Sequence, residues 1–137
     1  MCNNNDNCSQ ISEVLAIINV LQQNACNSGE CLETCDRGFL GCNGNALVCN
    51  TRPVQLYLCN GQQLSMPTSK DATGCEDSEC SSVFRVEKIE GCNATFRVLV
   101  PSTEAGSTYS ATNSFFTMNL NCVCCLRCLS DTHIDCI

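Results

Sequence analysis

A chain of 137 residues carrying 16 cysteines and a net charge of −7 has the length of one domain and lacks the basic footprint that nucleic acid requires. Leu, Ile, Val and Phe together number 32, above the level of disordered chains, so a core forms and the sulfurs are not its substitute. Only two lysines occur, Lys70 and Lys88, which leaves disulfides rather than amine chemistry as the covalent route between chains.

Residues 1–9 are polar and Asn-rich and read as a flexible arm holding Cys2 and Cys8. A thiol held beyond the folded body can reach a neighbouring molecule, and the alternative is a terminus pinned by a local bridge. The start has no basic region followed by a continuous apolar run, so no signal peptide is expected, and no stretch has membrane length. A cysteine content typical of exported proteins therefore sits on a start typical of cytosolic ones. Two arrangements reconcile them: synthesis in a reducing compartment with later oxidation, or thiolates that bind metal.

The single domain spans residues 10–137 and opens with a helix over 10–24. Ile11, Val14, Leu15, Ile18 and Leu21 recur at the three-and-four spacing of one apolar face, with Ser9 as cap and Glu13 in the first turn. Ile17 and Val20 widen that face, so cover on more than one side is expected, from the domain's own sheet or from another subunit. Residues 24–50, broken by Gly29, Gly38, Gly41 and Gly44, read as loop with short extended pieces and bridges from Cys26, Cys31, Cys35, Cys42 and Cys49.

Strands follow. Residues 54–59 and 62–66 flank Asn60-Gly61, the strongest short signal for a two-residue hairpin turn, with Pro53 and Pro67 limiting the pairing. Beyond an acidic loop over 71–80, residues 83–89 alternate, with Phe84 and Val86 inward and Arg85 and Glu87 outward. Glu90-Gly91 turns the chain into a strand over 95–100, and residues 101–113 read as a polar connection. A last section over 114–129 places Phe116, Met118 and Leu120 on one face. Five or six strands and one helix predict a mainly β fold: a small antiparallel sandwich or barrel-like sheet with the helix against it and cysteine-rich loops.

That last section ends in Asn119-Leu-Asn-Cys-Val-Cys-Cys-Leu-Arg-Cys-Leu129, where Cys122, Cys124, Cys125 and Cys128 crowd a segment otherwise suited to burial. Bridging the neighbours Cys124 and Cys125 would strain the peptide, so at least one needs a distant partner. On a regular strand Cys122 and Cys124 share a face and Cys125 takes the other, which suits cross-linking in more than one direction. Metal is the competing use, through Cys122-x-Cys124-Cys125-x-x-Cys128 followed by His133 and Cys136, with zinc or copper as the metal. Against it, the thiols sit among Leu120, Val123, Leu126 and Leu129 and lack two paired knuckles. A soluble domain whose disulfides are all intramolecular is a further alternative. Catalysis has no constellation to carry it: His133 is the single histidine, and no phosphate loop, carboxylate pair or nucleophile elbow appears. The remaining reading is covalent self-assembly, with strand edges offered to neighbours and disulfides locking the contact.

The chain resembles the cysteine-rich spore coat protein Z family of endospore-forming bacilli, the group that includes spore crust protein Y and exosporium protein Y. The matching stretches are the helix at 14–22, Phe39-Leu-Gly41, Asn50-Thr-Arg-Pro53 leading to Leu56-Tyr57, Val83-Phe-Arg-Val-Glu87, Cys92 with Phe96-Arg-Val-Leu99, and residues 118–129, in that order. The resemblance implies a non-enzymatic shell protein without cofactor, made in the mother cell cytosol and deposited on the spore surface. Its implied partners are copies of itself, in rings or lattices with hexameric order among the options, and other cysteine-rich coat or exosporium proteins. Cys122, Cys124 and Cys128 correspond to the family's terminal cluster and Cys92 to the cysteine before its Arg-Val-Leu strand, whereas Cys59 and Cys125 depart from the pattern. With the arm and tail thiols added, the candidate cross-linking residues are Cys2, Cys8, Cys92, Cys122, Cys124, Cys125, Cys128 and Cys136.

Overall fold

The computed structural model describes residues 7–23, 49–76, 79–103, 108–134 and 137. Helix α1 (Asn7–Gln23) precedes strands β1 (Val54–Leu58), β2 (Met66–Pro67), β3 (Cys80–Ser81), β4 (Val83–Glu90), β5 (Asn93–Pro101) and β6 (Tyr109–Asn119). A 3-10 turn (Leu120–Cys122) then leads into β7 (Val123–Cys128). The fold is mainly β with one N-terminal helix and antiparallel pairing, as the sequence predicts. Five strands form one sheet in the order β6-β5-β4-β1-β7, and β2 pairs with β3 in a second, two-stranded sheet.

The helix begins at Asn7, so Cys8 and Ser9, read from sequence as the end of an arm, lie within its first turn. The reason is a bond from outside the helix: Cys8 is joined to Cys92, beside the β4–β5 turn, with Cα atoms 5.5 Å apart. Ser12 Oγ donates to the Gly91 carbonyl in the same turn, at 2.9 Å. The inward stripe then runs Cys8, Ile11, Leu15, Ile18, Gln22, with Leu15 and Ile18 wholly buried. Its polar last member is spent on backbone. Gln22 Nε2 donates to the Val86 carbonyl and Gln22 Oε1 accepts from the Arg52 N–H, so the side chain bridges β4 and the approach to β1. Ile17 and Val20 stand away from the stripe, 41% and 54% exposed.

Against this stripe lies one face of the large sheet, supplying Val54, Leu56, Phe84, Val86, Phe96, Val98 and Val123 to a common core. Phe116 packs edge-on against Phe84, with ring centroids 4.9 Å apart, and stacks on Phe96 at 5.3 Å. Phe116, Met118 and Leu120 share this core, as the alternation of 114–120 predicts. The strand itself starts earlier, because residues 109–111 of the expected polar connection pair with β5. It also stops earlier: the 3-10 turn at 120–122, where Asn119 Oδ1 caps the Asn121 N–H, separates β6 from β7.

The Asn60-Gly61 turn forms where expected, with Gly61 at φ 89°, a left-handed conformation that glycine adopts without a Cβ penalty. Its second arm pairs only briefly, through Leu58 N–H to Gln62 O and Leu64 N–H to Leu56 O. β7 pairs along one edge of β1, from Val54 opposite Cys128 to Leu58 opposite Val123, while β4 meets β1 at Val54 opposite Phe84. Pro67 is not a terminator of that hairpin and instead pairs with Cys80 in the small sheet.

Arg85 departs from the simple alternation as well. It points off the core face, yet it is only 6% exposed, because the segment at Asn50 and Thr51 covers it. That segment is held in turn by the chain's end: Thr51 and Thr132 form a bridge, and Arg52 and Asp131 form a buried ion pair at 2.7 Å.

Candidate cross-linking site

Four sulfurs gather at the corner of the sheet where β1 ends and β7 begins. Cys59 enters the Asn60-Gly61 turn directly after β1. Cys122 closes the 3-10 turn, and Cys124 and Cys125 lie at a register shift in β7, where Leu58 faces Val123 but Tyr57 faces Cys125. The shift is a bulge with Cys124 as its extra residue, and the core dictates it. Val123 and Leu126 both pack inward although three positions separate them, which a regular strand forbids. Inserting one residue restores the phase, and the two cysteines in between are carried to the surface; both are exposed.

Cys124 is bonded to Cys59, with Cα atoms 4.9 Å apart. Among the described residues Cys122, half-buried, and Cys125, exposed, are free thiols. Cys125 sits opposite Tyr57 on the last strand of the sheet, whose neighbour Arg127 donates to Gln55 Oε1 at 2.7 Å. The corner thus holds one disulfide and two thiols within reach of solvent.

The other candidate cysteines fall elsewhere. Cys8 and Cys92 are joined to each other across a sequence separation of 84 residues, at the helix's first turn. Cys128 is oxidised, as is Cys49. Cys2 and Cys136 lie outside the described residues, together with the loop cysteines 26, 31, 35 and 42. Cys75 and Cys80 clamp the acidic loop ahead of β3, five residues apart. Oxidation of Cys124 and Cys128 removes two of the four thiolates that a metal at the 122–128 cluster would draw on. Among the described residues no three His, Cys, Asp or Glu side chains group as a metal site requires.

A second assembly of polar groups lies on the sheet face turned away from α1, and sequence reading left it unremarked. Glu87 accepts from Arg85 at 2.9 Å and from Arg97 at 3.0 Å, and Arg97 lies 4.4 Å over the ring of Phe115. Burial lowers the Arg85 pKa, while Glu87 opposes that shift and Arg97 adds to it. The guanidinium still remains charged, since its ordinary value lies far above physiological pH. The alternation of 83–87 put Arg85 and Glu87 on one face; the missing signal was the strand register that sets Arg85 opposite Arg97. Arg85 also donates to Thr51 Oγ1 and the Asn50 carbonyl, and Arg97 to the Thr112 carbonyl, so the two guanidinium groups tie this face to the segments beside it.

Fold and sulfur arrangement together define a disulfide-stapled β domain of structural type, in which part of the sulfur is left unspent at a sheet edge. The chain belongs to the spore coat protein Z family, whose model matches residues 1–111. It therefore has a structural role in the spore coat, at the spore surface. The matched span includes α1 to the start of β6 and stops short of the 122–128 cluster. No curated protein sequence and no solved structure matches the chain. No helix among the described residues is long and apolar enough to cross a membrane.

Proposed function

We propose that this protein is a self-assembling building block of the outer spore layer, the crust or exosporium, whose copies form ordered oligomers and lattices and are then locked by intermolecular disulfides. The observation that supports this most directly is Cys125: a free, exposed thiol on the terminal strand of the sheet. Terminal strands offer backbone N–H and C=O groups to a neighbouring chain, and a thiol on such a strand makes the contact permanent once it is oxidised. Synthesis in the mother cell cytosol keeps the thiols reduced until the protein has been placed. Copies of the chain, and other cysteine-rich coat or exosporium proteins, are the partners. The role is non-enzymatic.

Non-reducing electrophoresis tests the covalent part. A ladder that collapses to monomer with reductant is the expected result, and a compact monomer under oxidising conditions would overturn it. Negative-stain microscopy tests the ordered part, with rings or sheets expected and monodisperse particles contrary. Because each copy carries a net charge of −7, association should strengthen with ionic strength or divalent cations; light scattering that falls with salt would count against it.

A further inference from the structure

From the mixed oxidation state of the β1–β7 corner we infer that the covalent link between copies forms by thiol–disulfide exchange, the Cys125 thiolate of one molecule attacking the Cys59–Cys124 bridge of the next. This rests on the reading of the protein as a disulfide-linked assembly and adds how the link is made. A bridge built only for stability needs no thiols beside it. Here Cys122 and Cys125 flank an oxidised Cys124 within four residues of chain, and the Cys124 half of the bridge is exposed whereas the Cys59 half is partly covered.

The step balances without an oxidant. Cys125 releases its proton to solvent, and its thiolate attacks the exposed Cys124 sulfur of the second molecule. The new Cys125–Cys124 bond forms as the Cys59–Cys124 bond breaks, and the departing Cys59 thiolate takes up a proton. One disulfide is exchanged for another and no electrons are lost. Within its own molecule Cys125 is a poor attacker at that sulfur, because a bond between neighbouring residues strains the intervening peptide. The productive target therefore lies on another chain.

Directionality follows. Each copy brings one attacking thiol and one acceptor bridge, so the link runs head to tail, and such a contact closes into rings or continues as chains. A plain oxidative link between two Cys125 thiols would instead be symmetric and would stop at the dimer. The exchange also spares thiols: a copy in the middle of the series has lost free Cys125 and gained free Cys59.

The test uses bridge-intact monomer, half of it labelled with heavy nitrogen, mixed and held without oxygen or oxidant. The expected result is a reductant-sensitive ladder extending past the dimer, with the thiol titre per chain unchanged. Mass spectrometry should find peptides joining Cys125 of one isotope to Cys124 of the other, and Cys59 newly open to alkylation. Cys125→Ser should abolish the ladder, and Cys122→Ser should leave it intact. The rate should rise with pH, since the thiolate is the attacking species. A ladder that appears only with oxidant and consumes two thiols per link would overturn exchange while leaving disulfide-linked assembly in place. A Cys59–Cys125 bridge formed inside one chain would overturn it too. Failure to link with or without oxidant would remove both readings.

Discussion

Two disulfides of this domain sit in opposite settings. Cys8–Cys92 lies at the helix's first turn, with Cys8 buried and Ser12 bonded to the same β4–β5 turn. Cys59–Cys124 lies at a bulge on an edge strand, its Cys124 end exposed and free thiols on both sides. The first lies in packed surroundings, and the bond also restricts the unfolded chain. The second is placed where the packing demands an extra residue and pushes sulfur outward. The same kind of bond is therefore covered at one corner and accessible beside free thiols at the other.

The comparison breaks most visibly at the enclosed bridge. Replacing Cys92 with Ser releases a closure spanning 84 residues, and urea denaturation under non-reducing conditions should show a loss of about 4 kcal/mol, against little or no loss when the free Cys125 at the exposed corner is replaced. Asp131→Ala leaves the buried Arg52 guanidinium without its carboxylate and should cost about 3 kcal/mol in the same assay. Gln22→Leu keeps the volume but strands the Val86 carbonyl and the Arg52 N–H, for a loss of about 2 kcal/mol. Phe115→Ala removes the ring beneath a part-exposed Arg97 and should cost about 1 kcal/mol. Cys125→Ser sharpens the contrast from the other side: its midpoint should match the parent within about 0.5 kcal/mol while the covalent ladder disappears. A Cys125→Ser variant as unstable as Cys92→Ser would mean the edge sulfur is structural after all.

Much of this fold is written in local pattern. The helix is legible in the spacing of Ile11, Leu15 and Ile18, and the β4–β5 hairpin in the alternation around Glu90-Gly91, because each depends on residues close in sequence. Arg85 was legible in direction but not in burial, since its cover comes from Asn50 and Thr51, more than thirty positions away. The segment over 114–129 read as continuous because its apolar residues are dense; the 3-10 turn and the bulge that divide it answer to β1, which local pattern does not register. The cysteines show the same limit. Their clustering marks the site, yet which of them pair is decided by the strand order, and Cys59 became Cys124's partner only through the pairing of β1 with β7.

The strand order also has a kinetic side. β1 lies between β4 and β7, and β7 is synthesised after the other described strands. Until then one flank of β1 stays open, and the sulfurs of residues 59 and 124, 65 positions apart, have no means of meeting. Non-local pairing of this kind is slow. In the proposed assembly, the docking of β7 on β1, and not only the oxidation state, would set when a copy can join its neighbours.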